Sequence, residues 1–172
     1  VLWLDLTHAD TEPLAFSEHP VLSPRSGGED VVSVEAVEFG GRVERAGRGY
    51  VLDGAIRGQA TLRCVRCLSG FGFRFAERVE LHLVPAAAAP QEDETRLARG
   101  DLEVRFYDEP RVNVMELAAE QFALALPMKP LCAETCRGIC PHCGTNLNEG
   151  DCGCTPERDT RLAPLLDWRP SE

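Results

Sequence analysis

The sequence predicts an α+β fold: mainly antiparallel β-sheet, or a partly closed barrel, with one packed helix and a C-terminal Cys-rich segment. Three observations predict it. Apolar and polar residues alternate through much of 31–84, the period of a half-buried strand. A later stretch, 113–126, repeats its apolar residues at helical spacing instead. Beyond it, Leu131–Cys154 holds six of the eight cysteines, Cys132, Cys136, Cys140, Cys143, Cys152 and Cys154.

The first strand signature is VVSVEAVEF at 31–39, rich in β-branched valine, and Gly40-Gly41 reads as a turn. RVERAG and YVLDGAIRGQATLRC alternate again, with Gly54 and Gly58 suggesting a bulge or a close backbone approach. SGFGFRFAERVELHLV reads as the returning strand, with Phe71, Phe73 and Phe75 on one face. Cys64 and Cys67 then occupy the turn of a long hairpin. The Ala/Pro-rich and then acidic PAAAAPQEDETRLARG reads as a mobile loop, and LEVRFY at 102–107 as a short strand.

Asn113 is placed to cap a helix, with Glu116 in the capping-box position. The helix has Val114, Leu117, Ala118, Phe122 and Leu124–Ala125 on its apolar face, and Pro127 and Pro130 end it. A short helix at Thr160–Trp168 closes the chain. The expected organisation is a β-rich domain over 1–130, including the helix near 113–126, followed by a cysteine-rich segment over 131–172.

The chain has 172 residues, enough for one sizeable core, and 44% hydrophobic with 27% charged residues fits a folded protein. No apolar run approaches the roughly 18 residues of a membrane span. The opening VLWLDLTHAD lacks the basic flank and long apolar run of a signal peptide. A cytoplasmic location is therefore expected, where clustered thiols read as metal ligands rather than disulfides. The net charge of −10 argues against a uniformly basic nucleic-acid binder. Residues 42–74 nonetheless carry seven arginines against Glu44 and Asp53, and this basic stretch includes Cys64 and Cys67.

The thiols fall into four short pairs: C64-x2-C67, C132-x3-C136, C140-x2-C143 and C152-x-C154. A C-x2-C turn aims both sulfurs at one point while the following amides hydrogen-bond the thiolates, and Gly144 suits the tight backbone of that knuckle. Turn-forming GTNLNEGD lets Cys152 and Cys154 return to Cys140 and Cys143, giving one four-thiolate site. The remaining Cys64, Cys67, Cys132 and Cys136 make a second. A competing partition joins Cys132, Cys136, Cys140 and Cys143, leaving Cys64 and Cys67 with Cys152 and Cys154. The first is favoured because the 140–154 ribbon can close on itself. Zn2+ suits four thiolates and a closed tetrahedral site, so two zinc sites are expected; an iron–sulfur cluster also accepts four thiolates but usually at other spacings.

Each such centre carries a formal charge of −2, which Arg63, Arg66, Lys129 and Arg137 are placed to offset, although each is also an ordinary surface residue. His142, between two ligands, is expected to face outward. Catalysis is not expected. Four thiolates leave a metal no open position, and no P-loop, G-x-S-x-G, dinucleotide fingerprint or H-E-x-x-H occurs. Cys64-Val-Arg-Cys67 lies between strand patterns rather than at a helix start, unlike a thioredoxin-type redox motif.

The stretches GQATLRCVRCLSGF (58–71), LALPMKPLC (124–132), CRGICPHCGTNLN (136–148) and DTRLAPLL (159–166) resemble the YceD family, the large ribosomal RNA subunit accumulation proteins of bacteria and plastids. Order and spacing fit over roughly 50–168, and the N-terminal 50 residues fit only loosely. Asp-Thr-Arg-Leu departs from the family's usual DPRL. Some family members keep the C-x-R-C turn and the pair matching 132/136 without the later thiols, which supports a division into two sites. The resemblance implies a role in large-subunit biogenesis through accumulation of 23S-type RNA, without enzymatic activity, a membrane or a small-molecule substrate. The implied partner is the large-subunit precursor, through its rRNA or a ribosomal protein. Arg57, Arg63 and Arg66 are the candidate RNA contacts, since period 2 can align arginines on one face. An adaptor that binds a ribosomal protein or assembly factor is the other reading.

Overall fold

A computed structural model describes residues 2–89 and 104–154. The expected terminal helix at Thr160–Trp168 and most of the expected mobile loop lie outside the described residues. The architecture is a five-stranded sheet in the order β2 (Leu14–Glu18), β3 (Val31–Ala46), β4 (Gly49–Arg63), β5 (Gly70–Pro85) and β6 (Val104–Tyr107). A two-stranded sheet pairs β1 (Trp3–Asp5) with β7 (Arg111–Asn113), and β7 runs directly into α1 (Val114–Ala125). The large sheet stays open, with β2 and β6 as its edges, so the barrel alternative is not realised.

Strands β3, β4 and β5 form an antiparallel meander, and period 2 sets its two faces. On β4 the even positions Tyr50, Leu52, Ile56, Ala60 and Leu62 are buried. Phe75, Val79 and Leu83 face the same core from β5, and Phe71 and Phe73 pack beside them. The helix covers this face through Val114, Leu117, Ala118 and Phe122, with the Phe75 and Phe122 rings 5.2 Å apart. Burying a side chain of this size contributes about 1.5–3 kcal/mol. Asn113 caps the helix, its side chain accepting from the amides of Met115 and Glu116. Leu124, expected on the apolar face, is 72% exposed, whereas Ala125 and Leu126 after it pack against the core.

The structure corrects one other detail and sharpens two. Gly40-Gly41 is not a turn: β3 continues to Ala46, and the chain reverses at Gly47-Arg48, where Ala46 pairs with Gly49. The glycines instead permit close contact, since a Cβ on Gly54 would stand 2.7 Å from the Gly40 carbonyl oxygen. The register shifts lie in β3, between Val31 and Ser33 and between Glu35 and Glu38. The second falls opposite Gly58, where a Cβ would stand 3.3 Å from the Val37 Cα, so the bulge and the close approach expected around Gly54 and Gly58 are both present. The strand expected at 102–107 is present as β6 but pairs parallel to β5. The connection over 86–103 exceeds the dozen or so residues that a parallel crossover needs.

Candidate metal centres

The inward parity of β4 continues past its end. Cys64 follows Leu62 by two, so its thiol enters from the core side and is fully buried. Residues 64–69 then turn, with the Leu68 amide donating to the Cys64 carbonyl at 2.9 Å and the Cys64 amide to the Ser69 carbonyl at 2.9 Å. This knuckle meets the chain that leaves the helix, where the Val65 amide donates to the Pro130 carbonyl at 3.0 Å. Cys132 and Cys136 arrive with that chain. Cys64 and Cys136 sulfurs are 3.8 Å apart, and Cys67 and Cys132 sulfurs 3.6 Å. Phe71 and Leu131 pack over the group.

The second group is built within one short ribbon. Ile139 and Asn146 form an antiparallel bridge, the Cys140 amide donates to the Thr145 carbonyl at 2.8 Å, and the Gly144 amide to the Cys140 carbonyl at 2.9 Å. Gly144 has φ 74°, the left-handed conformation such a knuckle takes at that place. Cys152 and Cys154 come back against Cys140 and Cys143. In each group one sulfur from every cysteine lies within 4.8 Å of the others: Cys64, Cys67, Cys132 and Cys136 in the first, Cys140, Cys143, Cys152 and Cys154 in the second. The competing partition is not formed.

These separations test the fit to a metal. A tetrahedron of sulfurs about 2.3 Å from a central ion has edges of about 3.8 Å, whereas a disulfide needs about 2.05 Å. The observed 3.6 and 3.8 Å match the first. Both groups can hold a metal ion.

The thiols are electrostatically divided. At Cys64 burial pushes the pKa up, but amides of Cys132, Cys67 and Arg66 outweigh it and hold the thiol at about 6. Ser69's amide and hydroxyl lower Cys67, while hydrogen bonding with Cys67 and Cys136 pushes Cys132 up to about 12. In the second group Thr145's hydroxyl and amide bring Cys143 to about 6, amides of Cys143 and His142 lower Cys140, and Cys154 is pushed up to about 12 by Cys143. Each group therefore holds some thiolates ready and keeps protons on others, which a divalent cation would displace.

Asn148 joins the two groups. It sits in the second ribbon, yet its side-chain amide lies 3.4 Å from the Cys136 sulfur of the first. The Asn148 carbonyl oxygen accepts from the Arg137 amide at 2.8 Å, and the Ile139 amide donates to the Arg66 carbonyl at 3.1 Å. Sequence reading missed Asn148, since only its place in the fold brings it to a thiol. His142 is exposed, and the first group is the more enclosed: Cys64, Cys67 and Cys136 are buried, against Cys140 alone in the second.

The candidate RNA contacts differ in what engages them. Arg57 lies on the outer face of β4 and donates to Glu38 through Nε at 2.8 Å. Arg66 is in the knuckle, donating to the carbonyls of Cys136 at 2.9 Å and Glu134 at 3.3 Å. Arg63 is exposed and has no ion pair among the described residues. Parity and register put Arg42 of β3 and Arg74 of β5 on the same outer face as Arg63, two residues that the period-2 signal alone could have selected.

A family model described as large ribosomal RNA subunit accumulation protein YceD matches residues 52–167. Uncharacterized proteins of Mycobacterium bovis and Mycobacterium tuberculosis are each 25% identical over 169 residues, covering 95% of this chain and 79% of theirs. The chloroplastic large ribosomal RNA subunit accumulation protein YCED homolog 1 of Zea mays is 25% identical over 158 residues, covering 78% of this chain and 52% of its own. No solved structure gives a significant match.

Proposed function

The chain belongs to the YceD family, whose name ties it to accumulation of large-subunit ribosomal RNA, and from that premise we propose that it is a non-enzymatic, cytoplasmic scaffold in large-subunit biogenesis. It supports 23S rRNA accumulation and is held together by two structural zinc ions. The convergence of all eight thiols into two four-sulfur groups carries this reading. Zinc takes four thiolates without redox chemistry or an open position, so the metals would set shape and leave nothing for turnover. On this reading a β-rich part, 1–130, and a zinc-binding part, 131–172, are clamped together by the first site.

The test is sedimentation with large-subunit precursor particles alongside elemental analysis. The expected result is two zinc ions per chain and co-sedimentation that is lost on metal removal. One metal or none in gently purified protein, or no association with the particles, overturns it.

A second reading, docking to a ribosomal protein or assembly factor without RNA contact, is favoured by the engagement of Arg57 with Glu38 and of Arg66 with two carbonyls. Repeating the sedimentation between about 50 and 200 mM salt separates the two, because several phosphate contacts lose orders of magnitude in affinity over that range.

A further inference from the structure

Two knuckles of the same backbone design carry different fifth residues. In both, the amide of the fifth residue donates to the carbonyl of the first at 2.9 Å, Gly144 to Cys140 and Leu68 to Cys64. Both fifth residues are left-handed, φ 74° at Gly144 and 61° at Leu68. Glycine takes this conformation freely, whereas leucine is strained in it. Burial does not offset the strain, for Leu68 is 57% exposed. A strained, solvent-facing leucine where glycine would serve the knuckle better points to a use for the side chain itself.

The knuckle and the segments hydrogen-bonded to it carry further exposed apolar residues. Val65 is 44% exposed and Ile139 37%, and Met128, two residues before the Pro130 that bonds Val65, is fully exposed. The stretches that carry these residues, 63–69, 127–132 and 138–140, contain Arg63, Arg66 and Lys129 and no carboxylate, one positive charge more than offsets the −2 of a four-thiolate metal centre at this place. Arg63 and Lys129 have no ion pair among the described residues. Aliphatic side chains offer RNA neither a stacking plane nor a hydrogen bond, which are the usual means of base recognition. Arg66, which could supply a plane, is held by the carbonyls of Glu134 and Cys136.

We propose that Leu68 is the central anchor of a protein-docking surface, with Val65 and Ile139 beside it and Arg63 and Lys129 at its rim. The occupant is a protein partner offering an aliphatic pocket edged by carboxylates, complementary in both apolarity and charge. This rests on the large-subunit reading, because the partner is sought on the precursor particle.

The test uses full-length, metal-loaded protein and salt-washed large-subunit precursor particles. Leu68→Gly and Leu68→Asn both suit the left-handed backbone, so metal content should not change, while affinity for the particles falls at least about tenfold. Leu68→Met keeps an apolar side chain and should retain binding. A photo-crosslinker placed at position 68 should label a protein of the particle. Undiminished binding of Leu68→Gly and Leu68→Asn, a crosslink into rRNA, or a crosslink only to a second copy of the chain overturns the proposal. If the wild-type chain itself does not associate, the large-subunit reading fails with it; if the wild type associates and the variants bind equally, the docking surface alone fails.

Discussion

Thr145 sets the chemistry of a neighbour two residues away. Its hydroxyl oxygen is 3.2 Å from the Cys143 sulfur, and hydroxyl and amide together bring that exposed thiol to about 6, while Cys154 is held at about 12. An acid whose pKa is lowered is ionised at every pH above it, so a metal-free chain that keeps this knuckle ionises Cys143 well before Cys154. Iodoacetamide should therefore modify Cys143 first, with its rate half-maximal near pH 6, and Thr145→Val should move that midpoint upward. Peptide mapping by mass spectrometry reads both, and equal labelling of the two cysteines would contradict the assignment. The spacing of the pairs announced that these residues would meet. Their division into thiolates and thiols could not be read, because it depends on which amides the folded backbone turns toward each sulfur.

Strand β4 shows how a period carries information further than a turn motif does. Its even positions face the core from Tyr50 to Leu62, and the same count places Cys64 inside. That much was legible. Gly40-Gly41 was misread because a glycine pair serves two purposes, reversal and close approach, and only the partner strand distinguishes them. A Cβ on Gly54 would stand 2.7 Å from the Gly40 carbonyl oxygen and 3.2 Å from the Gly41 Cα, backbone atoms that cannot swing aside. Gly54→Val should then cost about 1–3 kcal/mol in urea unfolding, as overpacked sites do. Gly72, with open space where its Cβ would lie, provides the control, and Gly72→Ala should change stability far less. The short strands β1 and β2 gave no readable alternation, since three to five residues are too few to show a period, and alternation within β6 carries no information on whether it runs parallel or antiparallel to β5.

A metal in the first four-sulfur group would tie the hairpin tip to the segment behind the helix, alongside the Val65–Pro130, Ile139–Arg66 and Arg66–Cys136 hydrogen bonds. Replacing one ligand should loosen the whole connection, because an incomplete set weakens metal binding and that binding is part of the folding free energy. Cys64→Ser is expected to make 131–154 readily cleaved by a protease that leaves the wild type intact, with the β-sheet still resistant. Unchanged cleavage would mean that packing of Leu131 and the Val65–Pro130 hydrogen bond hold the segment without the metal. The same joint has a consequence in time. Cys64 and Cys136 are separated by 72 residues, so at a synthesis rate of roughly 5–20 residues per second the hairpin's two thiols leave the ribosome about 4–14 s before their partners exist. On the zinc reading a newborn chain carries that pair unclamped while the 64 residues from Leu68 to Leu131 are made.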